Sequence, residues 1–249
     1  MNAISIIIAT FNAAKTLRKA LDSVLNQTYK DWECIIVDGA SKDNTISIVK
    51  EYVQKDTRFR YISEPDKGIF DAYNKGWKIA KTEWVYYLGA DDVLLPESLK
   101  EVMSGTISSA DILYGNINIV FPDKSVKTIH PYRISMLRHK MFISHQAIVM
   151  RRRVVEDMGG FNLQYPIAAD FDLLQRCFLK NKNFVYLPVT VANFSYSGAS
   201  SKFSLKNEFE LYRIPKHNQA NFCPLFFFSL LFCRHLLGYI QKKYFLKSI

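Results

Sequence analysis

Two adjacent carboxylates, Asp91 and Asp92, follow the apolar run of residues 84–88, separated from it only by Gly89 and Ala90. A buried strand ends at a sheet edge, so this run predicts a loop that presents both acids there. A hard divalent cation in such a loop bridges carboxylate oxygens to phosphate oxygens, which indicates a metal–nucleotide site. The alternative is a solvated turn, or a cap for a helix that starts near Pro96.

Two other apolar runs in the first half of the chain also end in polar residues. Residues 4–9 lead into Thr10, and residues 34–37 lead into Asp38. Each run is followed by apolar residues at helical spacing, first Leu17, Ala20, Leu21, Val24 and Leu25, then Ile46, Val49, Tyr52 and Val53. Alternating strands and helices predict a mostly parallel sheet, in which ligands bind beyond the carboxyl ends of the strands. These polar residues and the acid pair are therefore expected around one pocket.

Five stretches of the chain form a recognisable series of motifs. They are residues 5–12 (SIIIATFN), 37–45 (VDGASKDNT), 66–76 (DKGIFDAYNKG), 88–92 (LGADD) and 168–173 (AADFDL). In this order and spacing they resemble family 2 glycosyltransferases of the GT-A fold, in particular bacterial members that build surface polysaccharides. The resemblance covers most of residues 1–200.

The resemblance implies an α/β fold of the GT-A type. Its central sheet is expected to be Rossmann-like and mostly parallel, flanked by helices, with a small mixed sheet on the acceptor side and C-terminal helices. Residues 1–100 are expected to bind the nucleotide sugar, and residues 101–204 to form the acceptor-binding and catalytic subdomain. Residues 205–249 are expected to form a C-terminal helical segment that associates with a membrane or packs on protein.

The resemblance also assigns a cofactor and its ligands. A Mn²⁺ or Mg²⁺ ion held by carboxylates stabilises the leaving diphosphate of a nucleotide sugar. Asp92 is implied as the direct metal ligand, and Asp91 as the partner of the ribose or of metal-bound water. Many relatives carry a further acid where this chain has Gly89, so the division of roles within the pair stays open.

On the donor side, the implied nucleotide-sugar-binding residues are Thr10, Phe11, Asn12, Asp38, Asp66, Gly68 and Asp91. The Asp38 carboxylate can accept a uracil N–H, and the Phe11 ring offers a stacking face. The alternative for Asp38 and Asp43 is turn formation and helix capping in the same loop. Asp71 and Asn74, one helical turn apart, are candidates for bracing the site.

On the acceptor side, the resemblance makes Asp170 the catalytic base, which takes the proton of the acceptor hydroxyl. The alternative is that Asp170 only caps its helix, and Asp172 is the second choice of base. His145 and Gln146 are candidates for contacting the acceptor or the diphosphate, although a lone histidine is as often a structural hydrogen-bonding residue. Residues 194–202 resemble a loop that closes over the substrates, where Lys202 would meet phosphate.

Together these features predict a metal-dependent, inverting glycosyltransferase. It would move a sugar from a nucleotide diphosphate, UDP in the first instance, to a hydroxyl of a saccharide or polyprenyl-linked saccharide in cell-surface polysaccharide biosynthesis. One alternative is a non-catalytic module that binds nucleotide sugars or glycans. Another is a nucleotidyltransferase, although its glycine-rich phosphate loop is absent from residues 10–14.

Composition adds limits on partners. The 249 residues, 49% of them hydrophobic, are enough for one compact enzyme. The net charge of +10 comes without a nucleic-acid recognition motif, so nucleic acid is not an expected partner. Four cysteines without Cys-x-x-Cys spacing favour reduced, structural thiols in the cytoplasm over a zinc site or a disulfide framework.

Basic residues concentrate near the C-terminus instead. The apolar run of residues 221–233 is shorter than the roughly 20 residues that span a bilayer, and Arg234 follows it. It predicts an interfacial helix on the inner, anionic face of the cytoplasmic membrane, which vesicle sedimentation of a chain truncated at residue 220 would test. The alternative is a helix packed on the core or on a second copy of the chain, which leaves a homo-oligomer open.

Overall fold

The computed structural model of the protein describes residues 3–104, 109–131, 133–196 and 204–220. Within these ranges the strands are β1 (Ile4–Thr10), β2 (Trp32–Asp38), β3 (Phe59–Ser63), β4 (Trp84–Gly89), β5 (Val93–Leu94), β6 (Ile112–Val120), β7 (Val126–Ile129), β8 (Ile148–Arg151) and β9 (Phe184–Ser195). The helices are α1 (Leu17–Leu25), α2 (Thr45–Lys55), α3 (Ile69–Ile79), α4 (Ser98–Ser104), α5 (Arg152–Asp157), α6 (Ala169–Leu179) and α7 (Leu205–His217). Two 3-10 helices lie at Ile134–Arg138 and His145–Ala147.

The strands form one mixed sheet in the order β3-β2-β1-β4-β8-β6-β9-β5, with β7 paired to β6. Strands β1 to β4 are mutually parallel, and β8 joins β4 in the antiparallel direction. Because β8 also pairs with β6, the strands of the second half of the chain extend the same sheet that β1 to β4 begin. The predicted α/β class, with a mostly parallel central sheet, is confirmed.

Helices cover both faces of this sheet because successive side chains of each strand point to opposite faces. In β1, Ile6 and Ile8 lie in a core that also contains Leu21 of α1. Ile7 lies in the opposite core, together with Trp77 of α3 and Phe171 of α6. Every residue of β1 and β4 is buried, so packing on both faces holds the edge where these two strands end.

The predicted helices are present, with one shift of the buried face. In α1 the buried residues are Leu17, Ala20, Leu21 and Val24, as the spacing predicts. In α2 they are Thr45, Ile48, Val49 and Tyr52, whereas Ile46 and Val53 are only partly buried. The apolar residues of α2 extend around the helix, so spacing alone did not fix which side faces the sheet.

Strand β9 corrects the expectation of a loop at residues 194–202. Phe194 and Ser195 are the last two residues of this 12-residue strand, which pairs in parallel with β6. Its apolar alternation is interrupted by Pro188, and the pairing register shifts near this point, which hides the strand in the sequence. Tyr196 follows in a turn, and residues 197–202, including Lys202, lie outside the described residues.

The C-terminal stretch expected on a membrane, residues 221–249, also lies outside the described residues. In the part of the chain that the structure describes, no helix is long and apolar enough to cross a bilayer. Within the segment expected to be helical from residue 205 onward, the structure describes helix α7, Leu205–His217.

Candidate active site

Asp38 lies at the carboxyl end of β2, directly beside Thr10 at the end of β1. Its side chain is fully buried. The carboxylate accepts hydrogen bonds from the Thr10 hydroxyl (3.2 Å), the Ser63 hydroxyl (2.7 Å) and both the amide (3.0 Å) and the hydroxyl of Ser41. Asp38 therefore organises the loop after β2, which is the structural role considered for it from the sequence.

The loop after β1 is tied to the loop after β2. Asn12 adopts a positive φ of 49°, donates its amide to the Ser41 hydroxyl (2.8 Å) and accepts from the Lys42 amide (2.9 Å). The neighbouring Phe11 side chain is 64% exposed, which is unusual for phenylalanine. These contacts hold an exposed aromatic ring just beyond the carboxyl end of β1.

Asp66 and Gly68 lie next to the same loops. A Cβ on Gly39 would lie 2.5 Å from an Asp66 carboxylate oxygen, so a larger residue at position 39 would displace the Asp66 side chain. Asp66 also accepts the Gly68 amide (2.8 Å), and Gly68 has a φ of 114°, which disfavours any other residue. The structure thus brings Asp66 against the residue that follows Asp38.

Asp91 and Asp92 lie in the turn between β4 and β5, and not at a helix start, since α4 begins only at Ser98. A Cβ on Gly89 would lie 2.5 Å from an Asp92 oxygen and 3.1 Å from an Asp91 oxygen. Both carboxylates therefore fold back over Gly89. A side chain at position 89 would require these carboxylates to shift.

The two acids differ in environment. Asp92 is 1% exposed and accepts hydrogen bonds from the Ser195 amide (3.0 Å) and the Gln146 side-chain amide (3.0 Å). Burial raises the pKa of Asp92 to about 6, and the charge of Asp91 adds to the rise while the Ser195 amide opposes it. Asp91 is half-buried, and burial raises its pKa to a smaller extent.

This pair fits a divalent cation. Its donors are carboxylate oxygens, which Mg²⁺ and Mn²⁺ prefer, and a cation would offset the charge that burial destabilises. Among the described residues, no group of three or more His, Cys, Asp or Glu side chains could hold a metal. Asp91 and Asp92 would therefore share the ion with phosphate and water, as is usual for magnesium-type sites.

Asp170 lies in the first turn of α6, on the same side of the molecule as Asp92. Its Oδ2 is 3.3 Å from Nδ1 of His145. The next residue, Gln146, donates its side-chain amide to Asp92 Oδ2. One 3-10 turn thus touches both the expected base and the expected metal ligand.

The buried phenol of Tyr73 lies close to all three acids. Burial raises the pKa of Tyr73 strongly, and the charges of Asp92, Asp170 and Asp91 raise it further, in that order. Asp38 lies at the same sheet edge but two strands away, since β1 separates β2 from β4. At about 4.8 Å per strand, Asp38 and the Asp91–Asp92 pair are on the order of 10 Å apart. A nucleotide can span this distance, whereas a single metal ion cannot.

Several site residues were not singled out by the sequence or received another role there. Tyr73 and Glu210 were missed, and Glu210 of α7 accepts the amides of Ile167 and Ala168, both at 2.9 Å, directly before α6. Asn74, a candidate for bracing the site, bonds the Phe161 backbone through both its side-chain donor and its side-chain acceptor.

Asp172, the second choice of base, has a structural environment. It is fully buried, with its carboxylate bonded to Arg176 (2.8 Å) and to Asn218 (3.1 Å). A carboxylate enclosed in this way cannot reach a substrate. Asp170, with a side chain 19% exposed, remains reachable.

Comparison with known proteins decides the family. The model of glycosyl transferase family 2 matches residues 5–163. The chain belongs to this family. The match contains every expected donor and metal residue and ends before Asp170, so the position of Asp170 is a finding of the structure. Membership removes the nucleotidyltransferase alternative.

This family 2 glycosyltransferase is 35% identical over 217 residues to a "PGL/p-HBAD biosynthesis glycosyltransferase" of Mycobacterium bovis, covering 85% of this chain and 83% of that protein. Its fold is similar to that of Staphylococcus aureus TarS 1-349 in complex with UDP-GlcNAc, with a TM-score of 0.71, 19% identity and 87% of this chain covered. It spans 66% of that TarS chain. It is also similar to the mannosyltransferase PcManGT from Pyrobaculum calidifontis in complex with GDP-Man and Mn²⁺, with a TM-score of 0.63, 16% identity, and 97% and 81% of the two chains covered.

Proposed function

We propose that this glycosyltransferase transfers a sugar from a UDP-sugar, with a divalent cation, to a hydroxyl of a saccharide or lipid-linked saccharide, and inverts the anomeric centre. The observation that carries the proposal is the pairing of Asp92 and Asp170 through consecutive residues of one turn. The cation would be held by Asp92 and Asp91 and would stabilise the departing diphosphate.

Asp170 supplies the base for this reaction. As the acceptor oxygen attacks the anomeric carbon, its proton passes to the Asp170 carboxylate, and the bond from that carbon to the diphosphate oxygen breaks. Attack from the face opposite the leaving group inverts the configuration in a single step. This step requires one base and no acidic nucleophile, in contrast to retaining glycosidases.

Support for a UDP donor comes from the first two loops and from a structural relative. The exposed Phe11 ring offers a stacking surface for a base, and the fully buried Asp38 holds the neighbouring loop in place through Ser41 and Ser63. TarS, which has the same fold, is described in complex with UDP-GlcNAc.

A saccharide acceptor is supported by a row of polar side chains across the second half of the sheet. We call Thr128, Asn118 and Asn193 the amide row. They are cross-strand neighbours on β7, β6 and β9, with Thr128 donating to Asn118 (2.8 Å) and Asn118 donating to Asn193 (2.9 Å). Side-chain amides and hydroxyls are the groups that hydrogen-bond sugar hydroxyls, and this row is exposed or half-buried.

The amide row leads to the reaction centre. Asn193 pairs with Val93, the residue after Asp92, and Ser195 donates its amide to Asp92. Along β6, Tyr114 points to the same face as Asn118 and lies in the core that contains Ala169 at the start of α6. The row and Asp170 therefore lie on one face, which is where an acceptor must approach.

The biological setting is proposed from the named relative. The mycobacterial relative is a biosynthetic glycosyltransferase for PGL/p-HBAD. By this similarity, we place the present enzyme in the biosynthesis of a cell-envelope glycan or glycolipid, with a saccharide on a lipid carrier as the acceptor class.

The test is turnover of a panel of nucleotide sugars. With Mn²⁺ and a UDP-sugar, the enzyme is expected to release UDP slowly to water and faster when an acceptor glycoside is added. Removal of the metal with EDTA should stop both. Release of UDP from none of the donors, with or without glycosides, would contradict the proposal and favour a binding module.

The same assay tests the amide row. With p-nitrophenyl glycosides as acceptors, Asn193→Ala is expected to raise about fivefold the KM of the glycoside that most accelerates UDP release. This is the effect of losing one hydrogen bond of about 1 kcal/mol. UDP release to water should stay the same. Lys127→Ala, next to Thr128 on the opposite face of β7, is the matched control. An unchanged acceptor KM in Asn193→Ala would contradict this placement.

A further inference from the structure

We propose that His145 is a positioning residue that orients the Asp170 carboxylate, and that the 3-10 turn His145–Ala147 fixes the base relative to the metal-binding acid. The inference rests on the proposed function, since it takes Asp170 as the base. It assigns His145 a role through Asp170 rather than a contact with the acceptor or the diphosphate.

Both carboxylate oxygens of Asp170 have a polar neighbour. Oδ2 lies 3.3 Å from His145 Nδ1, and Oδ1 accepts the Phe171 amide at 2.8 Å. At 3.3 Å, Nδ1 is the polar group that faces Oδ2, as the Phe171 amide faces Oδ1. Each oxygen thus has one polar neighbour, and the two neighbours together set the plane of the carboxylate. Without His145, the Phe171 amide is the one contact of this carboxylate that remains among the described residues.

The far side of the His145 imidazole is enclosed by protein. Nε2 is buried and has no hydrogen-bond partner among the described residues. The ring lies edge-on to Tyr73, with centroids 6.1 Å apart. A closed Nε2 cannot reach a substrate hydroxyl or phosphate in this arrangement. The polar contact of His145 is therefore made by Nδ1, which faces Asp170.

The turn that carries His145 is held by several hydrogen bonds of Gln146. Gln146 is bonded through its Nε2 to Asp92, through its Oε1 to Ser144, and through its backbone oxygen to the Tyr86 hydroxyl of β4 (2.8 Å). The turn runs directly into β8, which pairs with β4 and β6. His145 is therefore mounted on the same rigid unit as the partner of Asp92.

This arrangement has a chemical consequence. Asp92 would hold the cation that stabilises the leaving diphosphate. The base must lie on the opposite face of the transferred sugar. Consecutive side chains of one turn contact these two carboxylates, so their separation is set by a single short segment. An error of about 1 Å in such a separation can cost on the order of 100-fold in rate.

The experiment compares His145→Phe with His145→Asn. Phe preserves ring volume and removes the donor, whereas the Asn side-chain amide can replace Nδ1 as a donor. We expect His145→Phe to lower kcat for UDP release from the best donor about 30- to 100-fold, and His145→Asn to recover most of that loss. KM for the donor and the Kd of UDP with Mn²⁺ should change less than about threefold in both, because the donor site is untouched.

The control is His217→Asn, which removes another histidine that contacts a hydroxyl, that of Tyr165 at 3.0 Å, on α7. It should retain wild-type kcat. Wild-type kcat in His145→Phe, equal losses in the Phe and Asn variants, or a parallel loss of UDP affinity would each overturn the positioning role.

A crystal structure of His145→Phe gives a readout independent of turnover. The Asp170 carboxylate is expected to rotate away from its position in the wild-type protein, and an unmoved carboxylate would overturn the inference. If the wild-type enzyme released no UDP from any donor, the proposed function would fail. The crystal structure would still show whether the Asp170 carboxylate depends on His145 for its orientation.

Discussion

Asp170→Asn is expected to lower sugar transfer by about 10³-fold, within the range of 10² to 10⁴ that a general base contributes. Asn has nearly the same shape but cannot take the acceptor proton. UDP-sugar and Mn²⁺ binding should stay within about threefold of wild type, because the polar contacts of Asp170 within the described ranges are with His145 and its own helix. Initial rates of UDP release and calorimetric titration of UDP measure the two effects separately.

The matched control is Asp157→Asn. Asp157 ends helix α5, and its carboxylate pairs with Lys182 at the surface (2.7 Å). It should retain full activity, which shows that loss of a carboxylate as such is harmless. Full turnover by Asp170→Asn would remove the base assignment. A matching loss of UDP affinity would mean that Asp170 belongs to the donor site.

Asp92→Ala is expected to abolish metal-dependent turnover, with a loss of about 10³-fold or more. Lewis-acid stabilisation of the departing diphosphate contributes several kcal/mol, and each 1.36 kcal/mol is about tenfold in rate. Asp92 is the fully buried member of the pair and is held by two donors, so its oxygens are fixed in place. Asp91→Ala, with a half-buried side chain, should cost less. Calorimetric titration of Mn²⁺ in the presence of UDP should show no binding to Asp92→Ala.

The raised pKa of Asp92 adds a pH dependence to this prediction. Protons compete with the cation below the pKa of about 6, so the Kd for Mn²⁺ in the presence of UDP should rise about tenfold from about pH 7 to about pH 5. Without metal, the folded state holds a proton that an unfolded aspartate, with a pKa near 3.8, has released. The free energy of unfolding should therefore fall as pH rises through about 6. Equal Mn²⁺ affinity at both pH values, or tight binding by Asp92→Ala, would show that the cation lies elsewhere.

Much of the fold followed from local pattern. The apolar runs of β1, β2 and β4 each end in a polar residue, and parallel strands bring those ends to one edge. The sequence could not reveal β9, because Pro188 and a register shift interrupt its alternation. It also left open which acid of the pair is more enclosed, since the burial of Asp92 depends on Ser195, 103 residues away.

The site was predictable as a set of residues but not as a set of contacts. Asp170 and His145 are 25 positions apart in the chain, and nothing in their spacing indicates that they touch. Glu210 acts on the start of α6 from a third segment, which no local motif marks. The dipeptide of His145 and Gln146 before a strand was the available signal, and only the fold shows that its two side chains contact different acids.

The measurement that tests this account most directly is a crystal structure of the enzyme with Mn²⁺ and a UDP-sugar. The account predicts that Asp92 binds the cation beside the diphosphate and that Asp170, held by His145, faces the anomeric carbon from the opposite side of the sugar. A cation bound by other residues, or a donor sugar lying away from Asp170, would contradict it.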